Sequence, residues 1–146
     1  MGWCMTLARK LKAFRARSGS ERWLLCEAIL MLALARICVL AVPFRLLARC
    51  LERAPDKTPS DPALIARVRS AVATAAGNVP WNAVCLPQAI AAKAMLARRG
   101  QGSAFHLGAA IDANGKLIAH AWLECDGEIV TGAAGIHGMA HLARFG

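Results

Sequence analysis

From Trp23 to Val42 almost every position is apolar, the longest such stretch in the chain. Its length suffices to cross a bilayer. Glu27 and Arg36 interrupt it, and a charge near the centre of a spanning helix costs about 2.5–3.5 kcal/mol on insertion scales. The pattern therefore predicts a helix buried largely against the rest of the chain, with a membrane span as the alternative. Pro43 breaks it, and Phe44–Leu51 resumes as a second helix carrying Arg45 and Arg49. Upstream, residues 3–17 predict a surface-lying amphipathic helix. Trp3, Leu7, Leu11 and Phe14 fall on one stripe, and Arg9, Lys10, Lys12 and Arg15 lie elsewhere.

Residues 54–60 have linker composition. Asp61 is a good N-cap with Pro62 at the first helical position, and Leu64, Ile65, Val68, Ala71, Val72 and Ala75 follow at helical spacing as far as Gly77. Pro87 is tolerated only in a first turn, so it sets the start of the next helix and puts Cys85 near its N-terminus. That helix continues through Ile90, Met95 and Leu96, with Lys93, Arg98 and Arg99 expected to face solvent, until Gly100. Beyond Gly102 the period changes to two. Residues 104–111, 116–125 and 128–131 predict a three-stranded antiparallel meander with turns at Asn114-Gly115 and Asp126-Gly127. On the middle strand Ile118, His120, Trp122 and Glu124 share one face, and Leu117, Ala119, Ala121, Leu123 and Cys125 the other. Helices followed by a small sheet make an α+β chain: a helical region over 1–53, a linker over 54–60 and a core over 61–146.

The net charge of +9 changes this picture through its placement, since residues 1–53 hold ten Lys/Arg against three acids. Such a flank suits a membrane surface or an acidic partner. Nucleic acid is the weakest reading, because no binding motif accompanies the charge and aromatics are few. Six cysteines in mostly apolar helical contexts do not read as a disulfide framework. With no convincing signal peptide, the expected location is the reducing cytoplasm, with peripheral contact at the inner membrane face.

The candidate chemistry is a pair. A cysteine at a helix N-terminus meets free amides and the positive dipole end, which favour a thiolate, and His120 in mid-strand could take its proton and return it to a leaving amine. The bland reading is two core residues. A catalytic histidine needs a third group to fix its ring. A two-residue Asp126-Gly127 turn sets Leu123 against Val130 and His120 against Ala133, with Thr131 and Gly132 as neighbours. A two-residue Asn114-Gly115 turn sets His120 against Ala109, leaving Asp112 about 10 Å further along. Thr131, a backbone carbonyl or a displaced Asp112 are the candidates. Trp122 could wall the site or donate its indole N–H to an oxyanion, and Gln88, one turn after Cys85, could assist. His137 and His141, four apart, could share a helix face as metal ligands with His106 or Cys125, but an irregular tail is the commoner reading, so no metal or cofactor is expected.

These residues carry a resemblance. Cys85-Leu86-Pro87-Gln88-Ala89, Leu96-Ala97-Arg98-Arg99-Gly100, Leu107-Gly108, Ala119-His120-Ala121-Trp122-Leu123-Glu124, Asp126-Gly127 and Leu142-Ala143-Arg144-Phe145 are together similar to the B2 leader peptidases of lasso-peptide biosynthesis. The resemblance covers roughly residues 60–146 and extends in character to the helices at 22–53. It implies a transglutaminase-like, papain-type fold and a cysteine protease that frees the core of a ribosomal precursor peptide from its leader, with Cys85 as nucleophile and His120 as base. The family's third member, an aspartate, falls on Gly132 here. The implied partners are the leader–core precursor, a separate leader-recognition protein and an ATP-dependent macrolactam cyclase. Acyl transfer to an amine, and a non-catalytic membrane-associated scaffold, are the competing functions.

Overall fold

The computed structural model describes residues 2–52 and 59–146, with side chains from residue 8 onward. Five helices precede a four-stranded sheet: α1 (Gly2–Arg15), α2 (Gly19–Ala41), α3 (Phe44–Leu51), α4 (Pro62–Ala76), α5 (Cys85–Ala97), β1 (Ala104–Ile111), β2 (Leu117–Cys125), β3 (Glu128–Thr131) and β4 (Ala140–Phe145). The chain is an α+β protein. Most of the expected 54–60 linker, and the side chains of Trp3 and Leu7, lie outside the described residues.

Local signals explain the helix ends. Ser18 and Glu21 form a reciprocal capping box that starts α2 four residues before its apolar run, and Pro43 ends it. Asp61 accepts the Leu64 amide at 3.1 Å to start α4, with Pro62 in the first turn. Three layers result: the sheet, then α4 and α5 against it, then α2 across their backs. Leu24, Ala28, Leu32 and Ala35 of α2 join Ile65, Val68 and Val72 of α4, Ala92, Met95 and Leu96 of α5, and Phe105, Ala121 and Leu123 of the sheet in one core.

Both interruptions in the apolar α2 find partners. Glu27 is buried and accepts two hydrogen bonds from Arg99, at 3.0 and 2.5 Å. Arg36 donates to the Asn82 carbonyl at 3.0 Å. Of the three cations expected at the surface of α5, only Arg98 is exposed. Arg99 is half-buried by Glu27, and Lys93 is buried, its stem crossing the core so that Nζ reaches the Ser103 carbonyl at 2.5 Å.

The sheet differs from the expected meander in strand number and register. A fourth strand, β4, lies beside β1, giving the order β3-β2-β1-β4. Phe145 on β4 packs against Phe105, and also edge-on against Phe44 of α3. Between β3 and β4 the chain must pass from one edge of the sheet to the other, and residues 132–139 make that crossing. Their glycines, which suggested an irregular tail, are what permit it. The β1–β2 register is one residue off the expected one, with His120 opposite Gly108. The cause is Asp112, whose carboxylate accepts the Asn114 and Lys116 amides at 2.8 and 2.9 Å and widens the turn to five residues.

Candidate active site

Alternation along β2 divides its side chains between two environments. Ala121, Leu123 and Cys125 point into the helix-side core, while His120, Trp122 and Glu124 point to the face crossed by residues 132–139. On that face Trp122 stacks on His106, the residue opposite it on β1, with ring centroids 5.2 Å apart and planes within 2°. His120 lies 6.3 Å from Trp122 at an interplanar angle of 21°. Gly108, opposite His120, leaves the space the indole occupies, since a Cβ there would come within 2.9 Å of it.

His120 is half-buried and fixed by the backbone. Its Nε2 lies 2.6 Å from the Gly132 carbonyl. A carbonyl can only accept, so Nε2 carries the proton and Nδ1 is the basic nitrogen of the neutral ring. Gly135 backs the same ring, where a Cβ would sit 2.7 Å from Cε1 and Nε2. Gly132 itself has φ +81°, and a Cβ on it would meet the Ala121 carbonyl oxygen at 2.6 Å and the Trp122 Cβ at 2.8 Å. Only glycine fits that conformation at that distance. The absence of an acid from this position is thus a steric requirement of the crossing segment, and a backbone carbonyl orients the ring instead.

The other candidates for the third member are elsewhere. The Thr131 hydroxyl is buried without a hydrogen-bond partner and does not reach His120. Asp112 is committed to its turn. The register shift and the end of β3 account for both: β3 pairs with β2 only over Leu123–Cys125, with an irregularity between Leu123 and Glu124, so the strand never runs alongside His120.

Cys85 is the first residue of α5, half-buried, with Val84 as an N-cap that offers no side-chain acceptor. The amides of that turn therefore keep no side-chain cap. Two hydrogen bonds brace the loop that delivers it. Gln88 donates through Nε2 to the Ala83 carbonyl at 2.5 Å, and Arg36 holds Asn82. Gln88 thus fixes the approach to the helix, with its amide N–H turned to the loop. Trp122 walls the face beside His120. Two supporting roles are not legible in the sequence: that of Arg36, whose isolated charge in an apolar run is the available signal, and that of Gly135, which backs the His120 ring.

The thiol packs at the edge of the helix-side core. No hydrogen bond joins it to His120, which stands on the other face of β2 at the stretch that β3 leaves uncovered. Of the remaining described cysteines, Cys125 is a structural donor: it bonds to the Gly102 carbonyl at 3.0 Å, and burial pushes its thiol up. All five described cysteines are free. His137 and His141 do not share a helix. His137 lies in the crossing segment, and His141 on β4 is 2.9 Å from Nδ1 of His106. Among the described residues no group of three His, Cys, Asp or Glu side chains is arranged to hold a metal.

Neither the curated proteins nor the solved structures include a match to this chain. A family model, however, matches residues 28–144, from the first turns of α2 to the end of β4, and includes Cys85, His120 and the glycine crossing. On that match, which takes in all but a few residues of the common core, the chain belongs to the transglutaminase-like superfamily.

Proposed function

We propose that this chain is a cysteine peptidase that removes the leader from a ribosomally made lasso-peptide precursor. The observation that carries the chemistry is the bond from His120 Nε2–H to the Gly132 carbonyl, which leaves Nδ1 as a base in a superfamily with cysteine-dependent members. The substrate class rests on the motif resemblance around Cys85, His120 and the Asp126-Gly127 turn.

In this reading Cys85 transfers its proton to His120 Nδ1, and the thiolate adds to the scissile carbonyl carbon. The amides of the first turn of α5 receive the developing oxyanion. Collapse expels the amine of the core peptide, protonated by His120, and leaves a thioester on the leader fragment. His120 then draws a proton from water, hydroxide character adds to the thioester, and the leader acid departs as the thiol is restored. The reading requires the Cys85 thiol and His120 Nδ1, which no hydrogen bond joins, to come within reach of each other when substrate binds. The lack of an acid does not favour a scaffold, because the ring already has an acceptor.

The test incubates the purified chain with the leader–core precursor and the leader-recognition protein and follows peptide masses. Free leader acid and free core are expected with the wild type, and neither with Cys85→Ala or His120→Ala. Cleavage surviving in Cys85→Ala would exclude the assigned nucleophile. Leader joined to an added amine, in place of leader acid, would make the chain an acyl transferase.

A further inference from the structure

From Trp23 to Leu40, every exposed side chain of α2 is apolar. Trp23, Leu30, Leu34, Ile37 and Leu40 are 74, 55, 45, 60 and 74 % exposed. Their spacing of three, four and seven places them on one stripe, opposite the stripe of Leu24, Ala28, Leu32 and Ala35 that enters the core. Neither charge of this stretch stands free on that stripe, since Glu27 is buried against Arg99 and Arg36 is bonded to the Asn82 carbonyl. A continuous apolar face of this extent marks a binding surface.

Charge identifies the occupant. The first 53 residues carry ten Lys/Arg against three acids, and Arg9, Lys10, Lys12, Arg15, Arg45 and Arg49 are exposed on the helices flanking α2. A second copy of the chain would set like charge against like charge across the stripe, whereas an anionic surface neutralises it. The flank of α2 at Ile29 also opens into a groove of about 340 Å³ against α1, with Leu11 and Phe14 in its apolar lining and Lys10 and Arg17 beside them. Apolar walls with cations suit an acyl chain bearing a phosphate head. Although α2 has the length and mean hydropathy, 2.3, of a spanning helix, its other face is held by α4 and α5. Surrounding it with lipid would dismantle the core.

We propose that the outward stripe of α2 lies in the plane of an anionic phospholipid bilayer, its apolar side chains at the acyl boundary and the cations of α1 and α3 over the headgroups. Each basic side chain near an anionic surface adds roughly fivefold to the binding constant, and the buried apolar area adds to it. The proposal stands whether or not Cys85 is a nucleophile.

The full chain is sedimented with vesicles of phosphatidylcholine containing about one-third phosphatidylglycerol, and with vesicles of phosphatidylcholine alone. Binding to the anionic vesicles is expected, at least about tenfold weaker without the anionic lipid and weakened again by about 0.5 M salt. A Leu30→Gln, Leu34→Gln, Ile37→Gln variant, altered only at exposed positions, should lose about tenfold or more with an unchanged circular dichroism spectrum. Arg45→Gln with Arg49→Gln should weaken binding to anionic vesicles only. Wild type that stays in the supernatant with every vesicle overturns the proposal. So does a triple variant that binds as wild type does, or a stable dimer that the triple variant dissociates while vesicle binding is absent.

Discussion

Placing an aspartate at Gly132, the position where the resembling peptidases carry their acid, should impair this protein. At φ +81° a residue with a Cβ is strained by about 1–2 kcal/mol. The Cβ would also lie 2.6 Å from the Ala121 oxygen and 2.8 Å from the Trp122 Cβ, both anchored in the central strand β2. Relieving those contacts costs roughly another 1–3 kcal/mol, as in other overpacked sites. The total of about 2–5 kcal/mol corresponds, at about 2–4 °C per kcal/mol for a chain of this size, to a Tm lower by roughly 5–15 °C. The direction of that Cβ matters as much as its cost. Its nearest atoms are the Ala121 carbonyl oxygen and the Cβ and Cα of Trp122, so the strain falls on the segment whose carbonyl holds the His120 ring. Gly132→Asp and Gly132→Ala should therefore fall together, in melting temperature by calorimetry and in leader cleavage by peptide mass. Gly132→Asp with an unchanged Tm and faster cleavage would show that the glycine is an accidental loss of the acid and that the carbonyl does not orient His120.

Two further perturbations address the supports of the site. Arg36→Ala removes the hydrogen bond to Asn82 that braces the loop before Cys85; a loss of about 1 kcal/mol in chemical denaturation is expected, with a larger proportional fall in cleavage rate than in precursor affinity. Glu27→Gln breaks the bidentate pair with Arg99 and leaves the guanidinium facing a neutral group, for which about 2 kcal/mol of destabilisation is expected. The Arg99 hydrogen bonds hold the Glu27 carboxyl below its ordinary value of 4.5, so its contribution is complete above that pH and is lost as pH falls through the lower folded value. Wild type should accordingly lose more stability than Glu27→Gln over that acid interval, and parallel acid profiles would remove the pair from the account.

The helices were legible because their signals are local. Pro43, Asp61-Pro62 and Pro87 each restrict their own turn, and the structure starts or stops helices where they stand. The sheet was legible only in part. Asp112 widened one turn through its side chain, and β4 depends on pairing with a strand nearly 40 residues earlier, which no local period announces. The same limit governs the third partner of His120. A backbone carbonyl stands among the candidates beside Thr131 and Asp112, but every residue type carries one, so the sequence does not say which. Only the sharp local geometry at Gly132, fixed by a crossing between sheet edges, brings it to the ring. Lys93 departs from its expected solvent position for a related reason, since a long stem on an otherwise apolar helix is compatible with either solvent or the core.

What a carbonyl can do for a histidine differs from what a carboxylate does. Both accept the Nε2 proton and so select the tautomer with Nδ1 free, and loss of that selection is the damage seen when a triad aspartate becomes an amide. A carboxylate also stabilises the imidazolium by charge, which a carbonyl does only through its dipole. Here the ring is held further by shape, with Gly135 against one side and Trp122 beside it, so orientation is supplied by packing and the tautomer by the backbone. The energetic share left uncovered is the charge of the imidazolium. On the proposed peptidase reading, catalysis should depend more heavily on the oxyanion side of the site, and hence on the loop that Arg36 and Gln88 brace, than it would with an acid.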